Sequence, residues 1–271
     1  IYKNIPKTKI YKIIRKGEVR VNSSRIKPHY KLVLDDVIRI PPNLNSDKPI
    51  RKNIGDDAIK HHVSNILYED SNYLIINKKT GITVHGGTKN FIGLIDLVRE
   101  KFGNHIDLCH RLDKNTTGCL VFAKNKKSVK HFNESLKNQA ITKTYSAILI
   151  GKLKKNINIE KSIYKNNPDK LKPSTSKIKI IKQLKNTTFV DIQIFTGRTH
   201  QIRIHTSAIN HPVLFDNKYG NKEFNKLINT ETIKNIALHS KSIIFKDMSS
   251  KIINISAQLP KSFNDLINEL K

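Results

Sequence analysis

Three short segments carry residue types that can do chemistry. The first is Cys109-His110-Arg111-Leu112-Asp113-Lys114-Asn115-Thr116-Thr117-Gly118, with an acid and a guanidinium two residues apart, ahead of small hydroxyl residues and a glycine. That pattern suits a constrained loop entering a strand from Cys119 to Lys124. Two roles are open to Asp113. A carboxylate attacks carbon when it is positioned and partly desolvated, and a loop Asp commonly accepts backbone hydrogen bonds in an Asx turn. The second segment, Thr196-Gly197-Arg198-Thr199-His200-Gln201-Ile202-Arg203-Ile204-His205, reads as a helix starting near Thr199. Thr199 and Arg203 would then be i, i+4 neighbours, as would Gln201 and His205. Arg203 is either a cation that holds a buried carboxylate ionised or part of a solvated helix face capped by a Thr. His200 and His205 invite a metal, but no third ligand sits at a suitable spacing, so none is expected. The third segment, Lys143-Thr144-Tyr145-Ser146-Ala147-Ile148-Leu149-Ile150-Gly151, alternates like a half-buried strand with Tyr145 and Ala147 on one face. Tyr145 is either a packing residue or a base-stacking platform whose phenol moves a proton.

The charge balance bears on the partner. Fifty Lys plus Arg against 22 Asp plus Glu give a formal net charge of +28. Such an excess favours a polyanion, because cations that neutralise phosphates release condensed counterions. Drift toward Lys, Asn and Ile accounts for part of the bias. Only nine of the basic residues are Arg, and they fall in telling places. Arg15, Arg20, Arg25 and Arg39 lie near the start, and Arg111, Arg198 and Arg203 lie in the two motifs. Arginine is retained over lysine where a planar, multi-donor fork is wanted. No stretch approaches the roughly 18–20 apolar residues of a membrane helix, and the first ten residues lack a signal peptide's apolar core. Two cysteines make no disulfide framework. The expectation is a soluble, cytoplasmic, basic globular protein.

The elements that must hold these residues fall into two units. Residues 1–45 read as a small domain. Ile10, Ile13 and Ile14 line one face of a short helix ended by Gly17, residues 18–22 alternate like a strand, and 32–34 with 37–40 suggest a hairpin-like closure. The only methionine is Met248, and the leading domain is expected to lack its first helix. Residues 46–64, polar and aperiodic, read as a linker. Residues 65–271 form the larger domain. Its strand-like runs are 73–77, 119–123, 144–150, 176–181, 188–195, 242–245 and 252–256, and its helical runs are 91–102, 126–138, 200–209 and 262–270. Strands follow one another too often for a doubly wound sheet, so the expected class is α+β with mostly antiparallel pairing.

Taken together the segments resemble the RluA-type pseudouridine synthases. The likeness lies in His110-Arg111-Leu112-Asp113 with Thr116 and Gly118, in Lys143, Tyr145 and Gly151, and in Gly197 through His205. It continues, in the family's order, through His211-Pro212, Asp216, Tyr219-Gly220 and Leu238-His239, over about residues 65–260. Many relatives have Gly where this chain has Phe215, and Thr117 stands where Ser is common. The leading unit, Arg15-Lys16-Gly17-Glu18-Val19-Arg20-Val21-Asn22 with Lys27-Pro28, resembles the S4 RNA-binding domain that precedes the catalytic domain in many members. Arg15, Lys16, Arg20 and Arg25 would there contact RNA.

The resemblance implies isomerisation of uridine to pseudouridine in RNA, with large-subunit (23S) ribosomal RNA as the partner, no cofactor, no metal and a monomeric enzyme. Asp113 would be the catalytic carboxylate, paired with Arg203. Tyr145 would stack on the uracil and help remove the C5 proton. Arg111 would occupy the space of the flipped nucleotide, and Leu238 would wall the uracil. Two rivals are a non-catalytic RNA-binding assembly factor and a metal-dependent hydrolase using Asp113. The former should have lost at least one of Asp113, Tyr145 and Arg203, and the latter predicts strand scission and sensitivity to chelators.

Overall fold

Apolar side chains two residues apart decide where the core lies. The computed structural model describes residues 5, 7–42, 54–86, 92–163, 171–228, 230, 232 and 235–271, and the chain divides into units Ile1–Asn53 and Ile54–Lys271.

In the first unit, α1 (Lys7–Lys16) turns its Ile13 inward against Ile5, with Ile10 and Val19 packed alongside. Gly17 closes the helix at φ +73°, a conformation that glycine adopts without a Cβ clash. Strands β1 (Arg20–Val21), β2 (Ser24–Arg25) and β3 (Ile38–Arg39) form an antiparallel sheet in the order β2-β1-β3. The expected pairing of 32–34 with 37–40 does not form. Instead β3 pairs with β1, because the Asp36 carboxylate accepts from the Val33 amide and the Asn22 amide oxygen accepts from Val37 N. These local side-chain bonds take donors that a hairpin ladder would use.

The second unit begins with a helix where a linker is expected: residues 56–63 of the 46–64 stretch form α2 (Asp56–Val63). Its polar residues conceal an Ile59–Val63 stripe, four residues apart, that packs into the core beside α3 (Leu94–Phe102). Asp56 and Asp57 in its first turn complement the helix dipole. Residues 43–53 of the polar stretch lie outside the described residues.

The remaining elements are β4 (Ile66–Glu69), β5 (Tyr73–Lys78), β6 (Asp107–Leu108), β7 (Thr117–Ala123), α4 (Lys126–Lys137), β8 (Thr142–Ile150), β9 (Ile157–Glu160), β10 (Thr175–Leu184), β11 (Thr187–Ile194), α5 (Gln201–Ala208), α6 (Lys222–Leu227), β12 (Leu238–Lys246), β13 (Ile252–Ser256) and α7 (Lys261–Glu269). The ten-stranded sheet runs β4-β5-β7-β12-β8-β11-β10-β9, with β6 beside β7 and β13 beside β12. Its pairings are antiparallel except for a short parallel contact of β12 with β7. The α+β expectation therefore holds.

The period-two alternation divides the strands between separate cores. Leu74, Ile76, Leu120, Phe122, Tyr145, Ala147 and Leu149 join the cluster shared with α2 and α3. Tyr73, Ile75, Cys119 and Val121 face the other way, onto Phe132 of α4 and Phe245. A third cluster sets Ile148 and Ile150 against Phe263 and Leu266 of α7.

The parallel contact pairs Thr117 with His239 and Gly118 with Ser240. Gly118 has φ +105°, and a Cβ there would fall 2.2 Å from the Ser240 carbonyl oxygen. Both the backbone and the space demand glycine. Gly118→Ala is expected to destabilise the protein by about 2 kcal/mol or more, seen as a lowered Tm. An unchanged Tm would refute this account of the β7–β12 junction.

Candidate active site

Asp113 sits on the loop between β6 and β7, which is held from below by an unusual clamp. Lys78, the last residue of β5, is fully buried, and its Nζ donates to the carbonyls of Lys79 at 3.0 Å, Lys114 at 2.9 Å and Thr116 at 2.9 Å. Three acceptors match an ammonium's three protons. Burial pushes its pKa down to about 7, while nearby Asp113 opposes the fall. Sequence reasoning missed Lys78, since a lysine ending an apolar strand reads as a solvated strand end. The far end of the loop is fastened at Thr117. The Ala257 carbonyl can only accept, so His239 Nε2 carries the proton and Nδ1 accepts from the Thr117 hydroxyl at 2.8 Å.

Arg203 comes from α5, which begins at Gln201 rather than at Thr199. The reason is local. His200 adopts a left-handed conformation at φ +56°, and the Gln201 side-chain oxygen accepts from Thr196 Oγ1 and Arg198 N. The expected helical i, i+4 relation of Thr199 to Arg203, and the Thr cap, are absent. The Gln201–His205 pair is real but structural. Both are buried and bond Ser176 of β10, and His205 Nε2 donates to the Lys161 carbonyl. Far from being a metal ligand, His205 keys α5 to the sheet.

These supports bring an acid and a base together. Arg203 Nη1 donates to Asp113 Oδ2 at 2.8 Å, while Nε and Nη2 grip both oxygens of Asp216 at 2.7 and 2.8 Å. Asp216 is itself fixed by the backbone N–H groups of Lys218 and Tyr219. Burial opposes the charge on Arg203, but its hydrogen bonds to Asp216 and Asp113 outweigh it and raise its pKa. Burial likewise pushes the Asp216 carboxyl up, yet Arg203 and the two amides hold it below the usual carboxylate range. Asp113 Oδ1 accepts no hydrogen bond from a described residue and lies 3.7 Å from His200 Nε2. His200 Nδ1 meets the Tyr219 hydroxyl at 3.0 Å, and the Arg203 guanidinium sits 5.1 Å above the Tyr219 ring.

A cavity of about 650 Å³ opens over this pair, lined by Asp113, Arg203, Tyr145, Leu238, Arg111 and His200 among others. Tyr145 and Leu238 are nearly buried, at 6 % and 5 % exposure, and form its apolar wall. Burial, with the nearby charge of Asp113, raises the Tyr145 phenol above its ordinary pKa. Arg111 is exposed at the rim. His110, half-buried, also lines the cavity: its Nε2 accepts from Val121 N, and desolvation drives its pKa down to about 3. Thus the structure gathers Asp113, Tyr145, Arg203, Arg111 and Leu238 around one space. His200 joins the cavity wall, and Asp216, quoted above as a motif residue without a role, lies buried behind Arg203. Asp216 was findable only through the demand for a buried arginine's remaining acceptors.

In the leading unit, Arg20 stands in register with Arg25 on one side and Arg39 on the other, so three guanidinium-bearing residues cross the small sheet in a row. Like charges placed directly opposite are unfavourable in themselves. Arg20 donates to the Gly17 and Ser23 carbonyls, Arg15 to Tyr11 O, and Lys16 lies 3.6 Å from Glu18. Arg39, named above among the leading arginines, was not given an RNA contact there.

Asp216 ties the site to acid stability. Its folded pKa is lowered, so the ionised carboxylate stabilises the fold above its unfolded value of about 3.9, and that stability is lost as pH falls through the folded value. Asp216→Asn is expected to cost on the order of 3 kcal/mol at neutral pH and to flatten stability against pH below about pH 4. Urea melts across pH, giving curves of the same shape for both proteins, would contradict this.

Comparison with known proteins accords with the geometry. A profile described as RNA pseudouridylate synthase matches residues 72–208. Two proteins named ribosomal large subunit pseudouridine synthase C, from Haemophilus influenzae and from Buchnera aphidicola subsp. Schizaphis graminum, are each 37% identical over 99% of this chain, covering 88% and 90% of theirs. A third of that name, from Vibrio cholerae, is 34% identical over 99% of this chain and 90% of its own. Among solved structures, human RNA pseudouridylate synthase domain containing 4 shares the fold, with a TM-score of 0.65 and 24% identity over 79% of this chain and 96% of that one. The chain belongs to the RNA pseudouridylate synthase family, whose members are isomerases.

Proposed function

We propose that the chain isomerises uridines to pseudouridine in large-subunit (23S) ribosomal RNA, with Asp113 as the catalytic carboxylate. The relatives' names support the RNA, and the observation that carries the chemistry is the 2.8 Å Asp113–Arg203 pair on the wall of the Tyr145 cavity. In this reaction the N1–C1′ bond breaks, the uracil turns, C5 bonds to C1′, the C5 proton leaves and N1 gains a proton. Nothing is oxidised or reduced, and the chain's own side chains suffice without metal or cofactor.

Asp113 releases the base by attack on the ribose or by formation of a glycal, using Oδ1, the oxygen not held by Arg203. Arg203 stabilises the carboxylate and fixes its direction. Tyr145 stacks on the uracil, and its raised pKa suits a phenol that passes on the C5 proton rather than one that stays ionised. Leu238 walls the ring. A base inside a helix cannot enter such a cavity, so the nucleotide flips out and Arg111, at the rim, fills its place.

The leading unit serves as an S4-like RNA-binding domain, residues 1–45 with 46–64 following, through Arg15, Lys16, Arg20 and Arg25. The Arg25–Arg20–Arg39 row adds a site for phosphates. The enzyme acts as a monomer in the cytoplasm, where ribosomal RNA is made and folded.

Chemical mapping of modified uridines in large-subunit RNA, with and without the protein, tests the assignment. Asp113→Asn is expected to abolish pseudouridine formation while RNA affinity stays within about tenfold, because phosphate binding is separate from the chemical step. Arg203→Lys is expected to lose about 100-fold or more in turnover, since a point charge cannot serve two carboxylates. Substantial turnover by the Asn variant, or near-normal kinetics of the Lys variant with native circular dichroism, would defeat these roles.

A further inference from the structure

Lys143 is a buried cation that the ion pairs of the site leave unmatched. It precedes Tyr145 by two residues on β8 and so shares its face of the strand. The residue is 3 % exposed, yet it lines the cavity. Its Nζ makes a single long hydrogen bond, 3.3 Å to the Thr196 carbonyl, leaving two of three ammonium protons without a partner among the described residues. No described carboxylate lies within ion-pairing reach. Its charged neighbour has the same sign. Arg198, also on the cavity wall, adds to the effect of burial in pushing the Lys143 pKa down to about 8. Gly197 keeps the space beside the ammonium open, since a Cβ there would lie 3.1 Å from Nζ.

Contrast Lys78, equally buried but saturated by three carbonyls. A buried charge without partners is costly, and two like charges pressed together cost more. Such an arrangement is completed by an anion that arrives from outside. The pairing suits phosphate, with a compact ammonium from Lys143 and a planar fork from Arg198. Two residues of extended strand separate Lys143 from Tyr145, about 7 Å, comparable to the reach from a base to its own phosphate.

We propose that Lys143 and Arg198 form a phosphate subsite in the cavity that receives one phosphodiester of the RNA strand beside the uridine seated on Tyr145. This deepens the functional reading above and rests on it for the identity of the strand.

The test uses the full chain and a ten-nucleotide oligouridylate, with affinity measured across salt concentrations and no turnover required. Lys143→Met keeps the stem and removes the charge. Its expected signature has two parts. The slope of log affinity against log salt becomes shallower by about 0.7, the value for one lost single-strand phosphate contact. The Tm without RNA is equal to or above that of the unaltered protein, because a desolvated, unpaired charge is gone. Arg198→Gln, whose side chain is not deeply buried, should show the same slope change and stands in if Lys143→Met fails to fold. An unchanged slope in both variants overturns the proposal, as does a weaker affinity at unchanged slope, which is not the loss of a phosphate contact. Inorganic phosphate at matched ionic strength is the second probe. A phosphate-dependent rise in Tm that disappears in Lys143→Met, with the RNA slope intact, would assign the pocket to a free anion and also overturn the backbone contact. Absence of pseudouridine formation by the unaltered protein would sink the functional reading while leaving a slope change standing, so the two failures are separable.

Discussion

One guanidinium shared by two carboxylates is the constraint that organises the larger unit. Arg203 loses most of its water, its side chain being 13 % exposed, and a cation so placed must be matched by acids and aligned hydrogen bonds. Asp216 takes two of its donors and is wholly buried, so it supplies most of the compensation and sets the plane of the fork. The remaining donor, Nη1, then points in a direction decided elsewhere, and Asp113 receives it on one oxygen only. This division holds the Asp113 carboxylate by one oxygen and leaves the other without a hydrogen bond from a described residue. Were Asp113 the sole partner, neutralising the arginine would consume both of its oxygens.

The strands explain why that geometry can be held. β12 lies between β7 and β8, parallel to one over its first residues and antiparallel to the other. It therefore places Leu238 beside Tyr145 and, through His239, anchors the start of β7 just past Asp113. Lys78 fixes the same loop from β5 by bonding backbone rather than side chains. Its contribution depends on position along the chain and not on which residues follow Asp113.

Much of this was readable in advance, for a physical reason. β5, β7, β8, β11 and β13, and helices α3, α4, α5 and α7, carry apolar repeats of two or near 3.6, and those repeats survive wherever a face is buried. Asp113, Tyr145, Arg203 and Leu238 were singled out through the resemblance to the RluA-type synthases; residue types and spacing alone left packing, turn and surface readings open for the first three. What was not legible belongs to contacts between distant segments. The strands β2 and β6 are two residues long and have no period. α2 hides an Ile59–Val63 stripe among acids and histidines. The left-handed His200 delays the start of α5. Lys78 and Asp216 are identified only by what they touch, since nothing in YLIINK or in FDNKYG states that a loop or a guanidinium lies against it. Phe215 is a further case: it has φ +61°, and its ring packs by the third cluster, so packing offsets the backbone strain.

The parallel seam between β7 and β12 has a consequence for the order of events in the cell. Its partners, Thr117 and His239, are 122 positions apart, and β12 also supplies the neighbour on which β8 and β13 both rest. A chain still emerging from the ribosome has made its acid loop long before the strand that seats it exists. The pocket around Asp113 and Arg203 can close only after β12 has been made, so a nascent chain carries the small basic unit well before it carries that pocket.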